Sequence, residues 1–219
     1  MSVPKLDLTQ FTSLNDALSK VEPGDRYVNL GRELIPYADR IEFTPTAMFW
    51  FTMITRSQGL HAAIARETRE HNPIAVFPLI RAFAESVVMV IYVLDHPEYV
   101  EAISAPPDER SKGGPRRKTM QALISHATDQ APGVKAVYKQ LSEVTHFGSI
   151  AMWMPHRITV ESESILRTTW SSEPEWKNDE QALIACAQTL ELADAMCIYL
   201  HNFAGRHIVS TATAPRSGT

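Results

Sequence analysis

Cysteine is almost missing from this chain: 219 residues hold two, Cys186 and Cys197. Eleven residues apart on one helix, they would stand roughly 16 Å apart along its axis, too far for a disulfide. That excludes a cross-linked secreted scaffold and points to a reducing compartment, with the cytoplasm as the expected location. Metal-ligand spacing is lacking as well. No His-Glu-x-x-His, Glu-x-x-His or Cys-x-x-Cys occurs, and the loose set His146, His201, Asp194 and Glu85 has no such pattern, so neither a metal nor another cofactor is expected. A basic excess is absent: the net charge is -4, and the one small cationic cluster is Arg116, Arg117 and Lys118. Generic nucleic-acid binders displace counterions with a net basic surface, which this chain does not carry. The opening MSVPKLDLTQF has no apolar signal-peptide core. The long apolar run at 74–94 is broken near its middle by Arg81 and Glu85, each costing about 2.5–3.5 kcal/mol at a bilayer centre. A buried core helix, with no membrane partner, is therefore expected.

What is present is helical patterning. Apolar residues at 44% and charged residues at 21% are ordinary for a globular protein, and the length suits a single helical domain over 1–219. Residues 1–43 predict short helices, around Leu14–Val21 and Arg26–Arg40, the latter interrupted near Pro36. Thr44-Pro45 reads as an N-cap followed by proline at the first helical position, opening a helix to about Glu70. Asn72-Pro73 repeats that signal and opens the helix PIAVFPLIRAFAESVVMVIYVL (Pro73 to Leu94), an antiparallel neighbour of the first. His96-Pro97 ends it, and a short helix follows through Tyr99 and Ile103. Residues 104–117, SAPPDERSKGGPRR, predict a mobile, protease-sensitive loop. Helical pattern returns at Met120–Thr128 and Val134–His146. RITVESE and SILRTTW alternate and are β-branched, predicting a hairpin across 157–170. Asn178 with Gln181 predicts a capping box for a long helix from Asp179 to about Arg206, with Gly205 helping to end it. The fold class is mainly α: a helical bundle with a small β-hairpin insertion near 157–170.

Four polar residues stand out against this apolar background. Arg81 and Glu85 lie four residues apart and share a helical face. Ser142 and His146, in LSEVTHFG, do the same on a later helix. Charge within a core is costly unless paired, and a buried ion pair is often no more stabilising than an apolar substitute. The pair is therefore either a register device or a site in which Arg81 holds a phosphate or carboxylate and Glu85 orients it. His146 is expected to donate to Glu85 or to cap a helix end before Gly148. Ser142 beside His146 hints at a nucleophile and base, but no Gly-x-Ser-x-Gly elbow supports a hydrolase.

The chain also carries two matches to Arg-x(4–6)-His, RSQGLH (Arg56, His61) and RETREH (Arg66, His71). With 14 arginines and 8 histidines, roughly 1.5 such matches arise by chance. TRSQGLHAAIARETREHNPIAVFPLIRAFAESVVMVIYVL together with YKQLSEVTHFG resembles a group of bacterial helical proteins of unknown function. Its recurring features correspond to Arg56, then Arg81 and Glu85, then Ser142 and His146, over roughly residues 50–150. That group is similar in outline to HEPN bundles, some of which are toxin or phage-defence nucleases. In those the Arg-His motif usually opens a late core helix, whereas both candidates here lie on an early one.

Three readings follow. The first is a small-anion or nucleotide-type binding or regulatory module built on a buried Arg81, Glu85, Ser142 and His146 cluster. The second is a metal-independent HEPN-like ribonuclease using Arg56, His61, Arg66 and His71, with nucleic acid as partner under that reading alone. The third is a helical homodimerisation protein whose AMFWF stretch exposes an apolar patch around Phe49 and Trp50.

Overall fold

The computed structural model describes residues 6–106, 116–131, 133–146, 156–162 and 165–213. The described chain is predominantly helical, in the order α1 (Leu14–Lys20), α2 (Arg26–Glu33), a 3-10 turn (Ile35–Arg40), α3 (Pro45–Arg69), α4 (Pro73–Asp95), α5 (Tyr99–Ser104), α6 (Met120–Gln130), α7 (Val134–Thr145), strands β1 (His156–Ser162) and β2 (Ile165–Trp170), α8 (Asp179–Ala204), a π-helical turn (Gly205–Val209) and α9 (Ser210–Thr213). β1 and β2 pair antiparallel, from His156 opposite Trp170 to Ser162 opposite Ile165, with an irregularity between Val160 and Ser162. The loop expected at 104–117 falls largely on residues 107–115, outside the described residues.

Local chemistry sets the helix ends. Thr44 Oγ1 accepts from the Ala47 N–H at 3.2 Å, ahead of Pro45. Asn72 Oδ1 accepts from the Ala75 N–H at 3.2 Å, ahead of Pro73. In both, the side chain satisfies an N–H that the first turn leaves unbonded, and proline stands where no donor is needed. At α8, Asn178 Oδ1 accepts from the Gln181 N–H at 2.9 Å, while Gln181 Oε1 reaches back to the Lys177 N–H at 3.1 Å. This is a capping box displaced by one residue from the expected form. α1 uses the same variant: Ser13 Oγ accepts from the Asp16 N–H and Asp16 Oδ2 from the Thr12 N–H.

The end of α3 is a Schellman motif. The His71 N–H bonds the Thr68 carbonyl at 3.2 Å and the Asn72 N–H bonds the Glu67 carbonyl at 2.9 Å. The left-handed position is taken by His71, with φ of 55°, where glycine is the usual occupant. The far end of α8 departs from expectation. Gly205 does not stop the helix, which widens into the π turn and continues through Thr213. Buried Ile208, and His207 Nε2 bonded to the Leu94 carbonyl at 2.9 Å, anchor the continuation.

The chain groups into two compact units. The first comprises Met1–Glu22, Leu60–Ala84 and Gly133–Leu192; the second comprises Pro23–Gly59, Glu85–Pro132 and Ala193–Thr219. The division falls inside α3, α4 and α8, so no linker composition marks it in the sequence.

In the first unit Phe11, Ala17, Val21, Ala65, Cys186 and Ala187 form a buried cluster, joined by Leu6, Leu8, Leu18, Leu183 and Leu190. Trp176 packs edge-on against Phe77, ring centroids 6.0 Å apart, and its indole N–H donates to the Thr68 carbonyl at 3.2 Å. In the second unit Trp50, Tyr27, Phe203, Ile91, Leu123, Ile124, Met196 and Leu200 are fully buried. Each such side chain contributes about 1.5–3 kcal/mol through apolar burial. Trp50 also donates to the Leu200 carbonyl at 2.8 Å, and Phe49 packs on Phe203. Arg117, from the cationic cluster, donates to the carbonyls of Ala102 and Ile103 near the end of α5. α4 and the Asp179–Val209 run are long and apolar enough to cross a membrane on composition alone; 56% of the most apolar stretch of α4 is buried within the protein.

Candidate functional site

The Arg81 side chain sits in the first unit where α4 meets α7. Its guanidinium donates to the Tyr138 hydroxyl at 2.8 Å, contacts His146 Nε2 and lies 4.9 Å from the centre of the Tyr138 ring. Positions 138, 142 and 146 recur every four residues, so α7 presents them as one stripe. Ser142 Oγ donates to the Tyr138 carbonyl at 2.8 Å, a back-bond within the helix. Its proton is directed at a carbonyl, which is not the alignment of a serine activated by an imidazole. His146 is the C-cap residue of α7, its N–H bonded to the Ser142 carbonyl.

The expected cluster is thus drawn together for Arg81, Ser142 and His146, but it is not buried. Arg81, Ser142 and Glu85 are half-buried and His146 is exposed. α4 is apolar almost all round, so the sequence marks the charged position without saying how close to water it lies. His146 contacts Arg81 and ends α7, the second of the two roles expected for it. Glu85 follows one turn later on α4 and belongs to the second unit. Tyr138 is the residue that sequence reasoning missed. It stands one turn before Ser142, and extending the Ser142–His146 stripe backwards would have found it.

The Arg-His spacings fare differently. His61 is fully buried, with Nε2 2.7 Å from the Val21 carbonyl, a position from which no phosphate is reached. Arg56 is exposed and donates to Ser86 Oγ at 3.0 Å. Arg66 is exposed and holds Glu67 at 3.0 Å, and His71 occupies the left-handed corner after α3. Arg66, followed by Asn72, holds the Glu67 carboxyl below the ordinary carboxylate range.

Phe49 and Trp50, expected at an exposed patch, are 8% and 0% exposed. Large apolar side chains that do face solvent in that region are Phe43, Met48 and Phe51. His201 pairs with Glu33 at 2.8 Å, and Asp194 pairs with Arg26. Among the described residues no group of three His, Cys, Asp or Glu side chains is placed to hold a metal. Burial pushes the Cys186 thiol up to about 11, which suits an inert core residue.

A second feature of the first unit lies on the other flank of α7. A cleft of about 370 Å³ is lined by Phe77 from α4, Leu141 and Val144 from α7, and Ile184 and Gln188 from α8, with Lys177 at its edge. Comparison with family models, with curated proteins and with solved structures returns no match.

Proposed function

We propose that this protein is a small-anion binding or regulatory module, with Arg81 as the anion-holding residue. The observation that supports the reading is the convergence of the Arg81 guanidinium, the Tyr138 hydroxyl and the His146 ring at a half-exposed seam of α4 and α7. Stacking on the Tyr138 ring fixes the guanidinium plane, so less order is lost when its fork meets a phosphate or carboxylate. The His146 Nε2 atom faces the same guanidinium. An anion that enters between them accepts from Arg81 and from the Tyr138 hydroxyl.

Melting temperature is measured against inorganic phosphate and, separately, adenosine monophosphate. A ligand at about 100 times its Kd stabilises the folded state by about 2.7 kcal/mol, so a rise of several degrees is expected. Arg81→Gln abolishes the rise and Ser142→Ala leaves it intact. An equal rise in wild type and Arg81→Gln, or none with either ligand, defeats the reading. A response to the nucleotide alone identifies a nucleotide-type ligand.

A further inference from the structure

We infer that the cleft between α4, α7 and α8 is a second binding site, for a small, mainly apolar molecule carrying a hydrogen-bond donor. It is separate from the Arg81 cluster. At about 100° per residue, Tyr138, Ser142 and His146 face one side of α7, whereas Gln140 and Val144 face nearly the opposite side, with Leu141 between. The cleft lies on the Val144 side.

Its walls are chemically uneven. Phe77, Leu141, Val144 and Ile184 supply an apolar floor. Gln188, on the same α8 stripe as Ile184, is 94% buried, being 6% exposed, and its Oε1 has no hydrogen-bond partner among the described residues. Buried amide oxygens are rarely left so, because desolvation without a bond is costly. The terminal torsion of glutamine is soft, so the amide is free to turn its oxygen toward a donor in the cleft. Lys177 and Glu180, both exposed, mark the edge open to water.

Size and polarity narrow the class. At about 30 Å³ per water, 370 Å³ corresponds to roughly twelve waters, so the occupant has on the order of a dozen non-hydrogen atoms. A flat or branched apolar body against Phe77 and Ile184, with one N–H or O–H directed at Gln188, satisfies every wall. An anion is disfavoured at the inner end, where the orphan group is itself an acceptor.

Indole, apolar with one N–H, is the probe, and 1-methylindole, which lacks the donor, is its control. Ligand-observed NMR titration with the full chain gives both affinities. Indole binds wild type with a Kd of about 1 mM or tighter, and 1-methylindole binds roughly fivefold more weakly, the factor expected for one net hydrogen bond. Gln188→Met removes that preference, and Ile184→Trp, which fills the cleft, removes binding of both. Equal affinities on wild type, a preference that survives Gln188→Met, or no binding of either probe overturns the inference. Should Ile184→Trp fail to fold, the Gln188→Met comparison decides alone. Arg81→Gln leaves indole binding unchanged, which distinguishes this site from the anion site.

Discussion

At the residue scale, Tyr138 and Arg81 form the pair on which the candidate anion site turns. The phenol contributes a hydroxyl at 2.8 Å and a ring face 4.9 Å from the guanidinium carbon. Tyr138→Phe removes only the first, and an expected loss of about 0.5–1.5 kcal/mol follows from one hydrogen bond at a half-exposed site. Arg81→Ala removes both and the His146 contact, at about 1–2 kcal/mol. Urea unfolding of the single variants and the double variant closes a thermodynamic cycle. Losses that add without coupling would show that the two side chains do not act together. Reading the sequence located Arg81 and His146 from charge and spacing in an apolar setting. It passed over Tyr138, because an aromatic on a helical stripe reads as core until its neighbour across the seam is known. Gln188 was missed for a related reason. A lone amide within ALIACAQTL carries no motif, and only its burial beside a cleft makes it notable.

At the scale of elements, the signals that proved readable were those that act within four or five residues. Thr44-Pro45, Asn72-Pro73 and Asn178 each supply a side-chain acceptor to the first helical turn, and each helix begins there. The continuation past Gly205 was not readable, since its anchor, the Leu94 carbonyl, lies 113 residues away in sequence from His207. The corner after α3 offers a direct test. A non-glycine residue at φ of 55° carries a steric penalty of about 1–2 kcal/mol, partly offset by the lower chain entropy of histidine when unfolded. His71→Gly is therefore expected to raise stability by about 0.5–1 kcal/mol in thermal or urea melts, and a clear loss would indicate that the imidazole makes a contact of its own.

For the molecule as a whole, acid is the informative variable. The Asp16 carboxyl is held below the ordinary range first by Lys20 and then by the Thr12 N–H, and Glu67 by Arg66 and Asn72. A carboxylate with a lowered folded-state pKa stabilises the fold above its unfolded value and loses that contribution as pH falls through the folded one. Stability should therefore decline as pH drops below the unperturbed values of 4.5 for Glu67 and 3.8 for Asp16. Asp16→Asn should flatten part of that decline in urea melts taken from neutral pH downwards, and an unchanged slope would remove Asp16 from the account. Fold class was legible from periodicity, because apolar spacing survives in any arrangement of helices. The division into two units was not, because it cuts through α3, α4 and α8 where the chain has every reason to look continuous.

Asn72 belongs to two helices at once. Its N–H closes the end of α3, its Oδ1 starts α4, and its Nδ2 reaches the Glu67 carboxylate at 2.9 Å. A junction in which one residue completes both termini has no slack. A single inserted residue would unseat both ends together, so this hairpin is the part of the chain least able to vary in length.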